Sequence, residues 1–222
     1  MTLETESTTV AARPILCFQH CSRKAHILCL ALPLSCPICN KAVDTSNKLL
    51  LQPSVIPSPF AFAVSSPCSV VIKPSKGSFL SCLTTSLDLH AGLTDSRGVV
   101  HEYDRRGLTV GSGDWRQCVT IPLFLSSDSC DPTVDSNFWD YTLEVTKNRQ
   151  WWSRECYDDD DHNCFTFVLD FVRTLQLPTL SHLNRTQFCS QVICPRMKSV
   201  ARYVTLYRKL EAENVYVKKL TD

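Results

Sequence analysis

The chain has 222 residues, of which 44% are hydrophobic and 20% charged, and its formal net charge is +1 at pH 7. These values are typical of a globular chain and argue against a disordered protein or a coiled coil. The nearly neutral balance gives no electrostatic reason to expect nucleic acid or an anionic membrane as a partner. A chain of this length suits one domain with a small appendage and can bury a core without disulfide bonds.

The first residues, MTLETESTTVAARP, are polar and acidic, whereas a secretory signal needs a basic segment followed by an apolar one. The longest apolar run, residues 27–34, is interrupted by Pro33 and falls short of the roughly 20 residues that cross a membrane. We therefore expect an intracellular protein, cytoplasmic or nuclear, that does not enter a membrane. Residues 1–13 are predicted to be a disordered tail. In a reducing compartment the 13 cysteines are expected to be thiols, metal ligands or a nucleophile.

Residues 14–43 are rich in cysteine and histidine and are predicted to form a small zinc-ribbon-like module. The segment Cys36-Pro-Ile-Cys39 has the spacing that lets one turn present two sulfur atoms to a tetrahedral ion. Cys21, together with His20 or Cys17, can supply the other ligands from upstream. Because four such ligands would stabilise a segment too small for its own core, we expect a structural Zn²⁺ here.

The rest of the chain is predicted to be a linker followed by an α+β domain. Residues 44–68 contain three prolines before Pro67 and repeated serines, which favour an extended linker. Residues 69–222 are predicted to form a small antiparallel sheet packed on helices. Periodicity predicts strands at 69–74, 87–94, 98–104, 118–125 and 214–220 and helices at 135–147, 164–177 and 196–212.

Cys164 follows the acidic run Asp158–Asp161 and opens the predicted helix 164–177. A thiol at a helix N-terminus lies near unpaired backbone N–H groups and the positive end of the helix dipole, which favour the thiolate. Nearby carboxylates act in the opposite direction, so an imidazolium partner is needed to outweigh them. Cys164 is therefore a candidate nucleophile, and a small apolar core side chain is the alternative.

The candidate base is His90, on the first strand of a predicted hairpin, and His101 on the second strand is the other candidate. If all four residues of DSRG form the turn, both histidines face the same way. If the loop has three residues with Gly98 as a bulge, the pairing shifts by one, and Glu102 and Asp104 share the face of His90. A carboxylate would then orient the base. The sequence leaves both registers open.

Three features together resemble the circularly permuted papain-like fold of PPPDE-type peptidases, permuted NlpC-like peptidases and lecithin:retinol acyltransferase relatives. These features are HAGL on a strand, a hairpin leading to GVVHEYD, and HNCFTFV opening a helix. The resemblance covers residues 70–175. It implies a thiol hydrolase or acyltransferase with Cys164 as nucleophile, His90 as base and a residue of the second strand as orienter.

Over nearly its whole length the chain also resembles the Makorin-2 opposite strand protein family, through QHC followed by SCPIC, HAGLTDSRGVVHEY, DDHNCFTFV and NVYVKKL. That resemblance implies an architecture rather than a chemistry. The prediction is a hydrolase of peptide, isopeptide or acyl bonds that uses a Cys–His pair, with a protein as substrate. The alternative is an inactive papain-like fold that binds a protein partner and keeps a structural zinc site.

Overall fold

A computed structural model describes residues 13–46, 49–84, 87–123 and 135–220. The predicted disordered tail, residues 1–13, lies outside the described residues except for Arg13, which is exposed. The chain divides into two compact units, one of residues 1–58 with 205–222 and the other of residues 59–204. None of the helices in the described part of the chain is both long enough and apolar enough to cross a membrane.

The described residues contain nine strands and five α-helices. The strands are β1 (Leu16–Gln19), β2 (Ala25–Cys29), β3 (Leu51–Val55), β4 (Ser69–Pro74), β5 (Leu89–Thr94), β6 (Val100–Asp104), β7 (Gly107–Val110), β8 (Val119–Pro122) and β9 (Val215–Lys219). The helices are α1 (Phe79–Cys82), α2 (Ser136–Lys147), α3 (Cys164–Thr174), α4 (Arg185–Phe188) and α5 (Cys194–Glu213). A π-helix, Cys189–Ile193, connects α4 to α5. The predicted α+β class is confirmed.

The first unit is built on a four-stranded antiparallel sheet with the order β3-β1-β2-β9. Its buried residues include Phe18, Ile27, Cys29 and Cys36. Strand β9 pairs with β2 from Ala25 opposite Lys219 to Cys29 opposite Val215. The cysteine-rich segment of residues 14–43, the head, therefore shares its sheet with a strand from the far end of the sequence.

The compact units have different boundaries from the predicted division into 14–43, 44–68 and 69–222. The predicted linker contains β3, an edge strand that pairs with β1. Pro53 is compatible with a strand there because an edge strand has one side without ladder hydrogen bonds. Strand β9, predicted as part of the main domain, belongs to the first unit because its hydrogen-bonding partner is β2.

The second unit contains a five-stranded antiparallel sheet with the order β7-β6-β5-β4-β8. Ala91 and Leu93 of β5 belong to the main core together with the apolar face of α3. Because side chains alternate along a strand, His90 and Gly92 lie on the other face. Helix α2 packs on α3, where the rings of Trp139 and Phe171 are 4.6 Å apart.

Helix α3 begins at Cys164 because Asn163 caps it. The Asn163 side chain accepts a hydrogen bond from the Phe165 N–H at 3.0 Å, and the Thr166 hydroxyl accepts one from the Asn163 N–H at 3.3 Å. This reciprocal arrangement satisfies two backbone donors at the start of the helix. The helix ends before Gln176, which has a φ of +55° and so leaves the right-handed helical region.

Candidate active site and metal centre

The hairpin between β5 and β6 has a three-residue loop and the second of the two predicted registers. Thr94 is opposite Val100, and Asp95 and Val99 close the loop with a 3.0 Å backbone hydrogen bond. Gly98 has a φ of +80°, and a Cβ atom at this position would lie 2.4 Å from the Val64 carbonyl oxygen. Glycine is therefore required on both conformational and steric grounds.

This register separates the two candidate histidines. Gly92 is opposite Glu102 and Leu93 is opposite His101, so Glu102 shares the face of His90 while His101 points to the other face. His101 is 3% exposed, and its Nε2 is 3.6 Å from a carboxylate oxygen of Asp95. Burial lowers the pKa of His101, which makes the neutral imidazole the stable form. His101 therefore lies on the other face of the sheet from His90 and Glu102.

His90 and Glu102 form a close buried pair. Nε2 of His90 lies 2.7 Å from Oε2 of Glu102, and the two side chains are only 11% and 2% exposed. The other carboxylate oxygen accepts a 3.1 Å hydrogen bond from the Ser112 hydroxyl. Burial raises the pKa of Glu102, but the His90 hydrogen bond and the charge of Lys73 outweigh it and lower that pKa overall. Glu102 is consequently a carboxylate that orients the imidazole.

Asp104 is the second carboxylate on this face, and its ligand atom lies within 4.8 Å of those of His90 and Glu102. Such a trio has the composition of a metal site. Arg106, however, binds Asp104 through two guanidinium nitrogens, at 3.0 Å and 2.7 Å from Oδ2. The Arg106 charge occupies the position that a cation would need at this carboxylate, so Glu102 remains as the partner of His90.

Cys164, the first residue of α3, is 4% exposed. Its side chain forms a hydrogen bond with the His90 ring. Since Nε2 of His90 is committed to Glu102, Nδ1 is the ring nitrogen that remains for the thiol. Burial would lower the pKa of His90, but the hydrogen bonding and charge of Cys164 and Glu102 raise it to about 9. At neutral pH the imidazole therefore carries a proton beside the sulfur.

Both residues line a cavity of about 800 Å³ in the second unit. The first two residues of β5 and the first two of α3 meet at its wall, and Tyr157 contributes another part. Burial, followed by the electrostatic interaction with Cys164, raises the pKa of Tyr157 to about 12, so its hydroxyl stays protonated. A substrate that enters this cavity can reach both Cys164 and His90.

The acidic run before Cys164 is held by hydrogen bonds of its own. One carboxylate oxygen of Asp158 accepts the backbone N–H groups of Asp160 and Asp161 at 3.0 Å and 2.8 Å. The Asp159 carboxylate pairs with Arg105, and the Asp160 carbonyl accepts a hydrogen bond from Arg185. Arginine thus offsets part of the negative charge that the sequence places beside the thiol.

The four head residues His20, Cys21, Cys36 and Cys39 place one ligand atom each within 4.8 Å of one another. Sγ of Cys21 lies 3.9 Å from Sγ of Cys36, and Sγ of Cys39 lies 3.4 Å from Nδ1 of His20. Three sulfurs and one imidazole form a donor set that suits a tetrahedral soft-ligand site. The cluster is able to bind a metal ion.

Backbone geometry supports this cluster. The N–H of Ile38 is directed at the Cys36 sulfur at 3.4 Å, and the N–H of Cys36 donates to the Lys41 carbonyl at 2.8 Å. A hydrogen bond with the Lys41 backbone is the largest influence on the Cys39 thiol and lowers its pKa to about 7. The turn therefore favours the Cys39 thiolate, the form that binds metal, whereas burial and hydrogen bonds to the neighbouring sulfurs raise the pKa of Cys21 to about 11.

His20 has the tautomer that a ligand needs. Its Nε2 lies 3.2 Å from the Ala42 carbonyl oxygen, which can only accept a hydrogen bond. The proton is consequently on Nε2, and Nδ1 is free to donate its lone pair toward the three sulfurs. Cys17, the alternative to His20 in the sequence, lies in β1 opposite Leu28 and Ser54 and is not a member of the cluster.

Two family models match the chain. A family model described as DUF4796 C-terminal matches residues 53–210, and one described as DUF4796 N-terminal matches residues 13–43. The chain belongs to the DUF4796 family. It is 29% identical over 210 residues to the human MKRN2 opposite strand protein, covering 93% of this chain and 90% of the relative. The resemblance to the Makorin-2 opposite strand protein family is therefore confirmed. No solved structure matches the chain.

Two features of the site had no clear signal in the sequence. Ser112, which donates to Glu102, belongs to the glycine-rich segment GSGDW, and nothing in its composition indicates a contact with the hairpin. Two arginines bind the acidic run from distant parts of the sequence. Arg105 lies in the turn between β6 and β7, and Arg185 is the first residue of α4. Only the folded backbone brings these groups together.

Proposed function

We propose that this protein is a cysteine hydrolase with a permuted papain-like core, and that it cleaves a peptide, isopeptide or acyl bond in a protein substrate. The observation that carries the proposal is that Cys164 and His90 line one cavity, with Glu102 bound to the other side of the His90 ring. A nucleophile, a base and a group that orients the base are the three parts that thiol catalysis requires. The cavity also gives a substrate access to the buried sulfur.

The geometry supports the following reaction. The Cys164 thiolate attacks the substrate carbonyl carbon, and the electron pair of the C=O bond moves onto oxygen. In this mechanism the positive end of the α3 helix dipole stabilises that oxyanion. The intermediate collapses, the bond to the leaving group breaks, and the His90 proton moves to the leaving amine or alkoxide.

Water completes the cycle. His90, now neutral, removes a proton from a water molecule, and the hydroxide attacks the thioester carbon. The C–S bond breaks, the carboxylic acid leaves, and the proton on His90 again balances the Cys164 thiolate. Glu102 keeps the imidazole in one orientation throughout and stabilises its charged form.

We further propose that the head holds a structural Zn²⁺ through His20, Cys21, Cys36 and Cys39. Four protein ligands fill a tetrahedral coordination sphere, and catalytic zinc sites keep one position open for water. The ion would connect the segment after β1 to the turn at Cys36–Cys39 and so stabilise a small sheet. In this role the metal takes no part in the chemistry at Cys164.

The hydrolase proposal is tested by acylation with p-nitrophenyl acetate, a small activated ester. The wild-type protein should release a burst of about one nitrophenolate per active site, and Cys164→Ser should abolish the burst. Cys189→Ser is the matched control because Cys189 lines the same cavity. A wild-type protein without a burst, or a burst that persists in Cys164→Ser, would support the inactive interaction module instead.

A further inference from the structure

Three cysteines line the cavity of the candidate active site, and two of them lie at the ends of the π-helix that connects α4 to α5. Cys164 begins α3, whereas Cys189 begins the π-helix and Cys194 begins α5. Cys189 is half-buried and Cys194 is exposed. The proposed reaction uses Cys164, so the other two thiols have no part in it.

The π-helix brings Cys189 and Cys194 onto one side of the backbone. The N–H of Cys194 donates a hydrogen bond to the Cys189 carbonyl, five residues earlier in the chain. In an α-helix, with about 3.6 residues per turn, side chains five residues apart would point about 140° away from one another. The wider π turn is closed by a hydrogen bond between residues five apart, so these residues become neighbours. Both accordingly line the same cavity.

Pro195 explains why the helix widens at this point. A proline has no N–H to donate to the carbonyl four residues earlier, here that of Gln191, and its ring clashes with that carbonyl in a regular α-helix. An extra residue in the turn before the proline relieves this clash. The segment CSQVICP therefore favours the turn that places the two thiols side by side.

We infer that Cys189 and Cys194 are a redox-active pair, which a low-molecular-weight disulfide such as oxidised glutathione converts to a disulfide bond in the wall of this cavity. The inference does not rest on the proposed hydrolase, because neither thiol takes part in that reaction. In support, burial raises the pKa of Cys189, and the electrostatic interaction with Cys194 is the next largest influence on it, ahead of the interaction with Cys164.

Two exchange steps form the disulfide. The thiolate of Cys194, the more exposed residue, attacks one sulfur of oxidised glutathione, the S–S bond breaks, and one glutathione leaves as a thiolate. The Cys189 thiolate then attacks the Cys194 sulfur and releases the second glutathione. The protons of the two protein thiols pass to the two glutathione thiolates. The protein pair thus loses two electrons, and oxidised glutathione gains them.

Peptide mapping tests the pair, because trypsin isolates it from the other cysteines. Cleavage after Arg185 and Arg196 releases TQFCSQVICPR, in which Cys189 and Cys194 are the two cysteines. The whole protein is incubated with oxidised glutathione, alkylated with iodoacetamide and digested. The disulfide should appear as this peptide with the loss of two hydrogens and without alkyl groups, and excess reduced glutathione should restore both alkylation sites.

Single substitutions distinguish the pair from thiols that react separately. Cys189→Ser should leave Cys194 as a stable mixed disulfide with glutathione, because no second thiol displaces the glutathione. Cys194→Ser should slow the reaction of this peptide, because Cys189 is half-buried. Cys156→Ser is the matched control, since Cys156 is exposed but lies in the separate turn Arg154–Cys156 and should leave the disulfide unchanged.

The outcomes that overturn the pair are distinct from a failure of the hydrolase. A wild-type peptide 186–196 that carries two glutathiones, or that stays fully alkylated, would show that the thiols do not combine. A link in Cys156→Ser between this peptide and the peptide 155–173 would show that Cys189 pairs with Cys164 instead. The nitrophenolate burst of the reduced protein depends on Cys164, so it can be absent while the disulfide still forms.

Discussion

Nε2 of His90 lies 2.7 Å from a carboxylate oxygen of Glu102, while His101, the residue before Glu102 on β6, points to the other side of the sheet. A change of one residue in the pairing of β5 with β6 would exchange these two side chains. The choice of which side chain lies beside His90 is thus determined by the length of a loop that lies outside the cavity.

Replacing Glu102 with glutamine should separate the charge of this pair from its geometry. The amide oxygen of Gln can still accept a hydrogen bond from His90, but the negative charge is lost. We expect the pKa of His90 to fall from about 9 toward its ordinary value and iodoacetamide to alkylate Cys164 about 10- to 100-fold more slowly at pH 7. Ser112→Ala, which removes only a neutral donor to Glu102, should have a smaller effect. Equal rates in the wild type and Glu102→Gln would show that the carboxylate does not support the thiolate.

The stability of the protein should depend on pH through His90. Its pKa is raised from 6.5 to about 9 in the folded protein, so its contribution is complete below pH 6.5 and is lost as pH rises through 9. The free energy of unfolding in urea should therefore fall by on the order of 3 kcal/mol across this range. His90→Gln should lose most of that dependence. An identical slope in the two proteins would mean that the imidazolium is not stabilised by folding.

The metal proposal predicts one zinc ion per purified chain. Cys39→Ser and His20→Ala should each lose the ion, because a tetrahedral site with three ligands binds zinc more weakly. Cys17→Ser is the matched control, since Cys17 lies in the same sheet but outside the cluster. Elemental analysis of the four proteins measures the outcome. Zinc that is retained in Cys39→Ser but lost in Cys17→Ser would assign the site to a different set of ligands.

Chelation of that ion should loosen the first unit. Tetrahedral coordination links the segment after β1 to the turn at Cys36–Cys39, so removal with a chelator should increase amide exchange in β1 and β2. Exchange in α3 should change little because its apolar residues pack in the core of the other unit. Uniform protection before and after chelation would show that the metal does not support the head.

Gly98→Ala should be much more destabilising than Gly111→Ala. Both glycines have positive φ angles, but a Cβ at Gly98 would meet the Val64 backbone at 2.4 Å, and one at Gly111 would only touch a Val99 methyl group at 3.6 Å. We expect a loss of about 1 kcal/mol for Gly111→Ala and about 2 to 4 kcal/mol for Gly98→Ala, measured by urea unfolding. Similar losses for both would indicate that backbone conformation alone determines the cost.

The sequence predicted the secondary-structure elements that carry the candidate residues better than the arrangement of those residues. Periodicity located α3 and the strands that carry His90 and Glu102, because an apolar face at helical or strand spacing is a local property. The register of the hairpin depends on the conformation of Gly98 against Val64, which is a long-range contact. For the same reason the sequence could not choose between His20 and Cys17. That choice depends on which side chain the end of β1 directs toward Cys36 and Cys39.

The pairing of β2 with β9 also affects how the protein is made. Residues 25–29 leave the ribosome long before residues 215–219, and at about 5 to 20 residues per second the interval is roughly 10 to 40 s. During that time the outer edge of β2 has no strand to bind, and an uncovered edge is a site of association between chains. The head of the protein therefore depends on the last strand for its completion. Conditions that slow translation between these segments should increase the need for a chaperone.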